Sequence, residues 1–357
     1  MMKAGSKAGE KTLRLLIEPM AAWLADPMTT DIVVNEPGRV LVERRIEGGS
    51  EWVEHQVREF DLDRLEAIAT LAAAMTKQDV SDSKPLCATI FPDGERVQIV
   101  RSPAVELGFL SLTIRRPSAW APTIDGLASS GLFSSAEFAG QREDPAEAML
   151  LRLHGRKEWA AFFSAAVAHR KNIILCGATG SGKTTLAKAL IGAIPLHERV
   201  LTIEDTPEMV VPHRNKAHLF YSKGDQGLSR VTAGDLLEAC LRMRPDRVLL
   251  QELRDGSAFT YLRGVASGHP GSITTLHSES TYGAFDVMTL MVKQHEAGRH
   301  LSDADIHKLI FQLVDVVAHC DRSTGSFRIT EVYYDPARKR AADINAMDRN
   351  PVRIAAE

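Results

Sequence analysis

Residues 172–194 run from Asn172-Ile173-Ile174-Leu175-Cys176 through a glycine-rich stretch, Gly177 to Thr185, into Leu186 to Ile194, and this stretch restricts the fold more than any other in the chain. The first part is a short apolar run rich in β-branched residues, as a buried strand requires. The last part is helix-forming, from about Thr184 to Ile194. Between them the pattern G-x-x-x-x-G-K-T/S is met by Gly177, Gly182, Lys183 and Thr184. The glycines let the backbone curl until its N–H groups point at one phosphate, and the helix N-terminus adds a partial positive charge. Lys183 is then expected at the β- and γ-phosphates and the Thr184 hydroxyl at Mg²⁺. The lining of the triphosphate is read as Gly177, Ala178, Thr179, Gly180, Ser181, Gly182, Lys183, Thr184 and Thr185, with ATP and Mg²⁺ as the ligands.

Around this loop, strands and helices alternate. Strand-like runs at 199–203, 247–251 and 272–276 are separated by helical stretches at 233–244 and 257–267. Such alternation specifies a mainly parallel sheet covered on both faces. The N-terminal part reads differently. An amphipathic helix over 10–25 ends at Asp26-Pro27, two strands (31–35 and 39–43) meet through Pro37-Gly38, and a helix follows over 61–78. Pro92-Asp93-Gly94 then turns a hairpin between 86–91 and 95–100, and a strand over 109–115 stops at Pro117. Hairpin connections make this sheet mostly antiparallel.

With 357 residues, and about 150 residues per domain as a guide, two domains are expected. The boundaries read as an N-terminal α+β domain over 1–133, a Gly- and Ser-interrupted linker over 134–158, and an α/β domain with the phosphate loop over 159–357.

A net charge of −3 supplies no field for a nucleic-acid backbone, so direct nucleic-acid binding is not expected. The four cysteines are scattered without a C-x-x-C pair, against a zinc ribbon or a disulfide framework. No uninterrupted apolar run suits a signal peptide or a membrane span, which makes the expected location cytoplasmic. The polar face of the opening helix is not lysine-rich, so packing on its own domain is favoured and membrane contact is the minor reading.

A phosphate loop alone does not separate a kinase, a GTPase, a helicase and a transport motor. Three carboxylates, Glu204, Asp205 and Glu208, fall within five positions at the end of the next strand, where acceptors can hold Mg²⁺ through water. Glu204 is the metal candidate beside Thr184. Glu252 closes a later apolar strand and can polarise an attacking water; a helix cap is the minor reading, because the phosphate loop precedes it at a suitable distance. His277 ends the strand over 272–276, where an imidazole can hydrogen-bond a γ-phosphate or simply lie at the surface.

The ordered set GATGSGKTT (177–185), LTIEDTPE (201–208), CLRMRPDRVLLQELRD (240–255) and ASGHPGSITTLH (266–277) resembles the secretion ATPases, most closely the hexameric traffic ATPase of type IV secretion systems. The segments match that family's Walker A, Asp box, Walker B and His box in order and spacing. A weaker likeness over DIVVNEPGRVLVER (31–44), GERVQIVRSP (94–103) and SLTIRRPS (111–118) extends it over most of the chain.

The resemblance implies a homo-hexamer of subunits with an N-terminal domain above a RecA-like domain. It further implies a catalytic set of Glu252, Glu204, Glu208 and His277, and N-terminal arginines, Arg96 and Arg115, facing the phosphates. Its implied partners are inner-membrane secretion components, with the subunit peripheral at the cytoplasmic face of that membrane. Its implied work is to power pilus biogenesis or the transfer of DNA or protein. Without the resemblance, both arginines read as solvated strand residues. Two features depart from the family: Gln251 stands where a small residue commonly precedes the Walker B glutamate, and the linker is long. The alternatives are a type II secretion or type IV pilus ATPase, whose frequent four-cysteine zinc insertion this chain lacks, and a nucleic-acid-dependent RecA-like motor.

Overall fold

A computed structural model describes residues 4–117, 123–136, 144–222, 229–323 and 325–342. Residues 137–143 of the expected linker lie outside the described residues. The chain divides into two compact units: Met1–Ala119 with Ile194–Glu252, and Trp120–Ala193 with Leu253–Glu357.

The first unit opens with α1 (Ala4–Leu16), a 3-10 turn (Glu18–Met20) and α2 (Ala21–Ala25). The single helix expected over 10–25 is thus interrupted. Pro19 sits in the 3-10 turn, where its missing N–H cannot continue an α-helical ladder. Strands β1 (Thr29–Glu36), β2 (Arg39–Ile46) and β3 (Gly49–Gln56) precede α3 (Leu62–Met75), and β4 (Leu86–Ile90), β5 (Arg96–Arg101) and β6 (Leu110–Arg115) complete an antiparallel sheet of order β3-β2-β1-β6-β5-β4. Asp61 caps α3 by accepting from the Arg64 N–H at 2.8 Å.

Period-two alternation gives this sheet one apolar face. Ile32, Val34, Val40, Val42, Ile99, Leu112 and Ile114 pack there with Leu65, Ile68 and Ala72 of α3 and with Leu13, Ile17 and Met20 of the opening segment. The opening helix is therefore part of its own unit's core. The opposite face buries polar residues instead, among them Asp31, Glu43, Gln98, Ser111 and Thr113.

Glu43 and Thr113 of that polar face are met within the same unit by the segment carrying β8 (Val200–Glu204), β9 (Lys216–Phe220), α8 (Ala233–Cys240) and β10 (Arg247–Leu250). Arg199, fully buried, donates through Nε to the Met243 carbonyl at 2.9 Å, and through its terminal nitrogens to Asn35 Oδ1 at 3.0 Å, to Asn215 Oδ1 and to Thr113 Oγ1 at 3.4 Å. Arg244 donates to both oxygens of Glu43, at 3.0 and 2.5 Å. Strands β10, β8 and β9 pair in parallel.

The second unit holds α4 (Ile124–Ser129), α5 (Glu147–Gly155), α6 (Trp159–Ala168), β7 (Ile173–Cys176), α7 (Lys183–Gly192), α9 (Ser257–Ala266), β11 (Ile273–Leu276), α10 (Thr281–Gln294), α11 (Asp303–Leu313), β12 (Val316–Asp321), β13 (Arg328–Tyr334) and α12 (Pro336–Ala342). Its sheet has the order β11-β7-β12-β13, parallel except for the β12–β13 pair. The architecture is the expected one, an antiparallel N-terminal sheet with mainly parallel strands after it. Asn172 locks the entry to β7. Its Oδ1 accepts from the Gly271 and Ser272 N–H groups at 2.9 and 3.1 Å, its Nδ2 donates to the Leu313 carbonyl at 2.8 Å, and its own N–H donates to Asp315 at 2.8 Å. No helix among the described residues is long and apolar enough to cross a membrane.

Candidate functional site

The loop after β7 has the backbone its glycines suggested. Gly177, Gly180 and Gly182 all take positive φ, at 145°, 72° and 93°. Side chains are barred at two of them. A Cβ on Gly177 would run into the Cys320 carbonyl of β12, and one on Gly182 would stand 2.9 Å from the Phe327 ring. Ala178, Thr179 and Gly180 are exposed while Ser181 is buried, so the loop presents its crest and hides its base. Gly182 is the N-cap of α7, so the first N–H groups of that helix open into the loop. Thr184 and Thr185 are exposed in its first turn.

Lys183 is buried, and its ammonium donates to the carbonyls of Gly177 at 2.7 Å and Ala178 at 2.8 Å. The charge the motif requires is thus held over the loop rather than out in solvent. Beneath it, burial pushes the Cys176 thiol up to about 12, so this neighbour is an inert packing group and no nucleophile. His277 is exposed and follows β11, and the β11–β7 register pairs Leu276 with Cys176. His277 therefore leaves its strand where Gly177 leaves the adjacent one.

The carboxylates belong to the first unit. Glu204 is fully buried and saturated. One oxygen accepts from the Thr202 hydroxyl at 2.6 Å and lies 2.8 Å from His218 Nδ1, and the other accepts from the Glu208 and Met209 N–H groups, both at 2.9 Å. Burial pushes this acid up, but the bonds from His218, Thr202 and the two amides outweigh it and hold it below the ordinary range. Glu208 is exposed and accepts from the Gln251 amide at 3.2 Å, and Gln251 Oε1 accepts from the Asp205 N–H at 3.1 Å. The residue that departs from the family pattern thus spans the Asp-box loop, with half-buried Glu252 next in sequence. The His218 contact was not legible in the sequence, because it comes from β9, a strand with no clear motif.

Arg96 and Arg115 are exposed and directly opposed across β5 and β6. On its other side Arg115 pairs in register with Asp31 of β1, and both line a pocket of about 400 Å³ with Thr30, Glu43, Ser50 and Arg244. Asp31 is 2% exposed and its Oδ1 has no hydrogen-bond partner. Burial pushes its carboxyl up to about 6 against the pull of Arg115. The structure therefore brings together the phosphate loop with His277, the Asp-box acids with Gln251, and the two arginines with each other.

The family model of type II/IV secretion system proteins matches residues 143–352. A type IV secretion system protein VirB11 of Bartonella quintana (strain Toulouse) is 45% identical over 335 residues, covering 91% of this chain and 93% of the relative. Protein VirB11 of Agrobacterium fabrum is 41% identical over 336 residues, covering 93% and 96%. Among solved structures, the VirB11 ATPase of the Brucella suis type IV secretion system, in complex with sulphate, superposes with a TM-score of 0.89 at 40% identity, covering 95% of this chain and 99% of that one. With its glycine loop, its buried lysine and this likeness along nearly its whole length, the chain belongs to the VirB11 family and is an ATPase subunit of a type IV secretion system.

Proposed function

We propose that the subunit hydrolyses ATP with Mg²⁺ in a homo-hexamer at the cytoplasmic face of the inner membrane, powering pilus biogenesis or the transfer of DNA or protein. The observation that carries the chemistry is Lys183, buried with its ammonium over a loop of three positive-φ glycines. In this reading the loop amides and Lys183 hold the β- and γ-phosphates, and the exposed Thr184 hydroxyl in the first turn of α7 fits a Mg²⁺ ligand. Mg²⁺, when bound, would supply positive charge that offsets the charge of the phosphates. Glu252 orients the attacking water, with Glu208 beside it on the Gln251 amide.

Glu204, expected as a metal ligand, has both oxygens occupied. It is better suited to holding the Asp-box loop, and it could reach Mg²⁺ only through water after giving up a bond. His277 is assigned to sensing the γ-phosphate and Arg96 and Arg115 to neutralising charge in the transition state, supported by the family resemblance and by their exposure. Residues 134–158 are assigned as the linker between a 1–133 domain and a 159–357 domain.

The Glu252→Gln protein tests the assignment. It should bind ATP normally while phosphate release falls by roughly 10²–10⁴-fold, the usual worth of a positioned general base. Unchanged turnover would sink the role given to Glu252. A nucleic-acid-driven motor would instead show ATPase stimulation by added DNA; none is expected.

A further inference from the structure

The phosphate loop accounts for the polar end of the nucleotide, and none of the motifs addresses the base. The base hangs from the α-phosphate by one ribose, so it must come to rest beside the loop. In an open parallel sheet a nucleotide lies across the carboxyl ends of neighbouring strands, where the strand order reverses. Here β7 is flanked by β11 on one side and β12 on the other. His277 occupies the β11 flank. On the β12 flank, Arg322 follows the strand directly and Phe327 stands just before β13.

Three observations single out this ring. Phe327 is 58% exposed, whereas Phe162, Phe285, Tyr333 and Tyr334 near β13 are buried. Its Cδ1 and Cγ edge abuts Gly182, so near that a Cβ there would stand 2.9 Å from it. The Arg322 guanidinium lies over the ring, 4.9 Å from its centroid. An apolar ring left in solvent gains little, whereas one fixed against a phosphate-binding glycine, with a cation above it, is placed for a flat, polarisable partner.

We propose that Phe327, steered by Arg322, is the nucleobase platform of the ATP site, carrying the purine while the loop carries the phosphates. The inference rests on the phosphate-binding role proposed for the loop. Stacking accepts any base with a π-face, so the platform supplies affinity for a nucleotide over bare polyphosphate, and it does not select adenine over guanine.

Calorimetric titration of the full chain with Mg-ADP and with Mg-pyrophosphate tests it, because the two ligands differ by the nucleoside alone. Phe327→Ala should weaken ADP by roughly ten- to a hundredfold, the scale of base–aromatic stacking, and leave pyrophosphate unchanged. Phe327→Leu, which keeps apolar volume on Gly182, should show the same split, and Phe327→Trp should retain ADP affinity. Equal weakening of both ligands in Phe327→Leu would overturn the proposal by making the ring a support for the loop. So would unchanged ADP binding, including the case where only subunit assembly suffers. Lys183→Ala separates the two readings: it should lose both ligands, and if it loses neither, the loop itself is not the phosphate site and the inference falls with it.

Discussion

Gly177 shows how little freedom the loop has at single positions. Its φ of 145° and the Cys320 carbonyl facing it leave no room for a methyl group. Gly177→Ala must displace either the loop or β12, so ATP binding measured by titration should fall at least tenfold, while Gly180→Ala, where nothing crowds the added carbon, should be milder. Gln251 is the second residue with a consequence. Removing its amide in Gln251→Ala loses two hydrogen bonds of about 1 kcal/mol each, and kcat should drop about five- to thirtyfold with KM little changed. An unaltered kcat would mean that the Asp-box loop holds itself. The loop residues were legible because glycine, lysine and threonine at fixed spacing have few other uses. The environment of Glu204 was not, since a carboxylate at a strand end looks the same in sequence whether it faces water or four donors.

Among elements, the join between the antiparallel sheet and the β8–β10 segment is held by buried Arg199 together with the Arg244–Glu43 pair. Burial draws Arg199 down to about 10, so it stays charged at neutral pH, and its four acceptors are neutral oxygens, one of which, Asn215 Oδ1, also takes the Asn35 amide at 3.3 Å. Arg199→Met would leave buried carbonyl and amide oxygens unmatched at about 1–3 kcal/mol each, and urea denaturation should show a loss of roughly 2–5 kcal/mol. The hairpin around Pro92-Asp93-Gly94 and helix α3 followed from turn chemistry and periodicity. Strand β3 escaped because it is a half-exposed edge strand rich in polar residues, and β9 because five residues carry too little pattern. The periodicity reading ends at Leu276, so β12 and β13 were missing from it, although β12 is the strand that presses on Gly177. Pairing between strands so far apart in sequence leaves no local signature.

At the scale of the molecule, Asp31 sets a pH dependence that can be read in bulk. Its folded carboxyl titrates near 6 against an ordinary 3.8, so the folded state binds the proton more tightly. That contribution is fully present below about pH 4 and is lost as pH rises through about 6, a change of roughly 3 kcal/mol. Arg115 and Arg244 share the site and temper the shift, while the Glu43 carboxylate adds to it. Stability profiles from pH 4 to 7 should therefore converge at the acid end and separate towards neutrality for Asp31→Asn, with the variant the more stable; parallel profiles would refute this. Sedimentation in the presence of ATP should find six subunits if the ring is formed. The lysine of the loop carries one last implication. An ammonium that already donates to two carbonyls would gain from a phosphate chiefly the step from neutral oxygens to charged ones. A singly charged anion offers a smaller gain than a polyphosphate, which carries several charges. If the loop holds the phosphates as proposed, it should favour polyphosphates by charge, and common cellular salts should compete poorly for it.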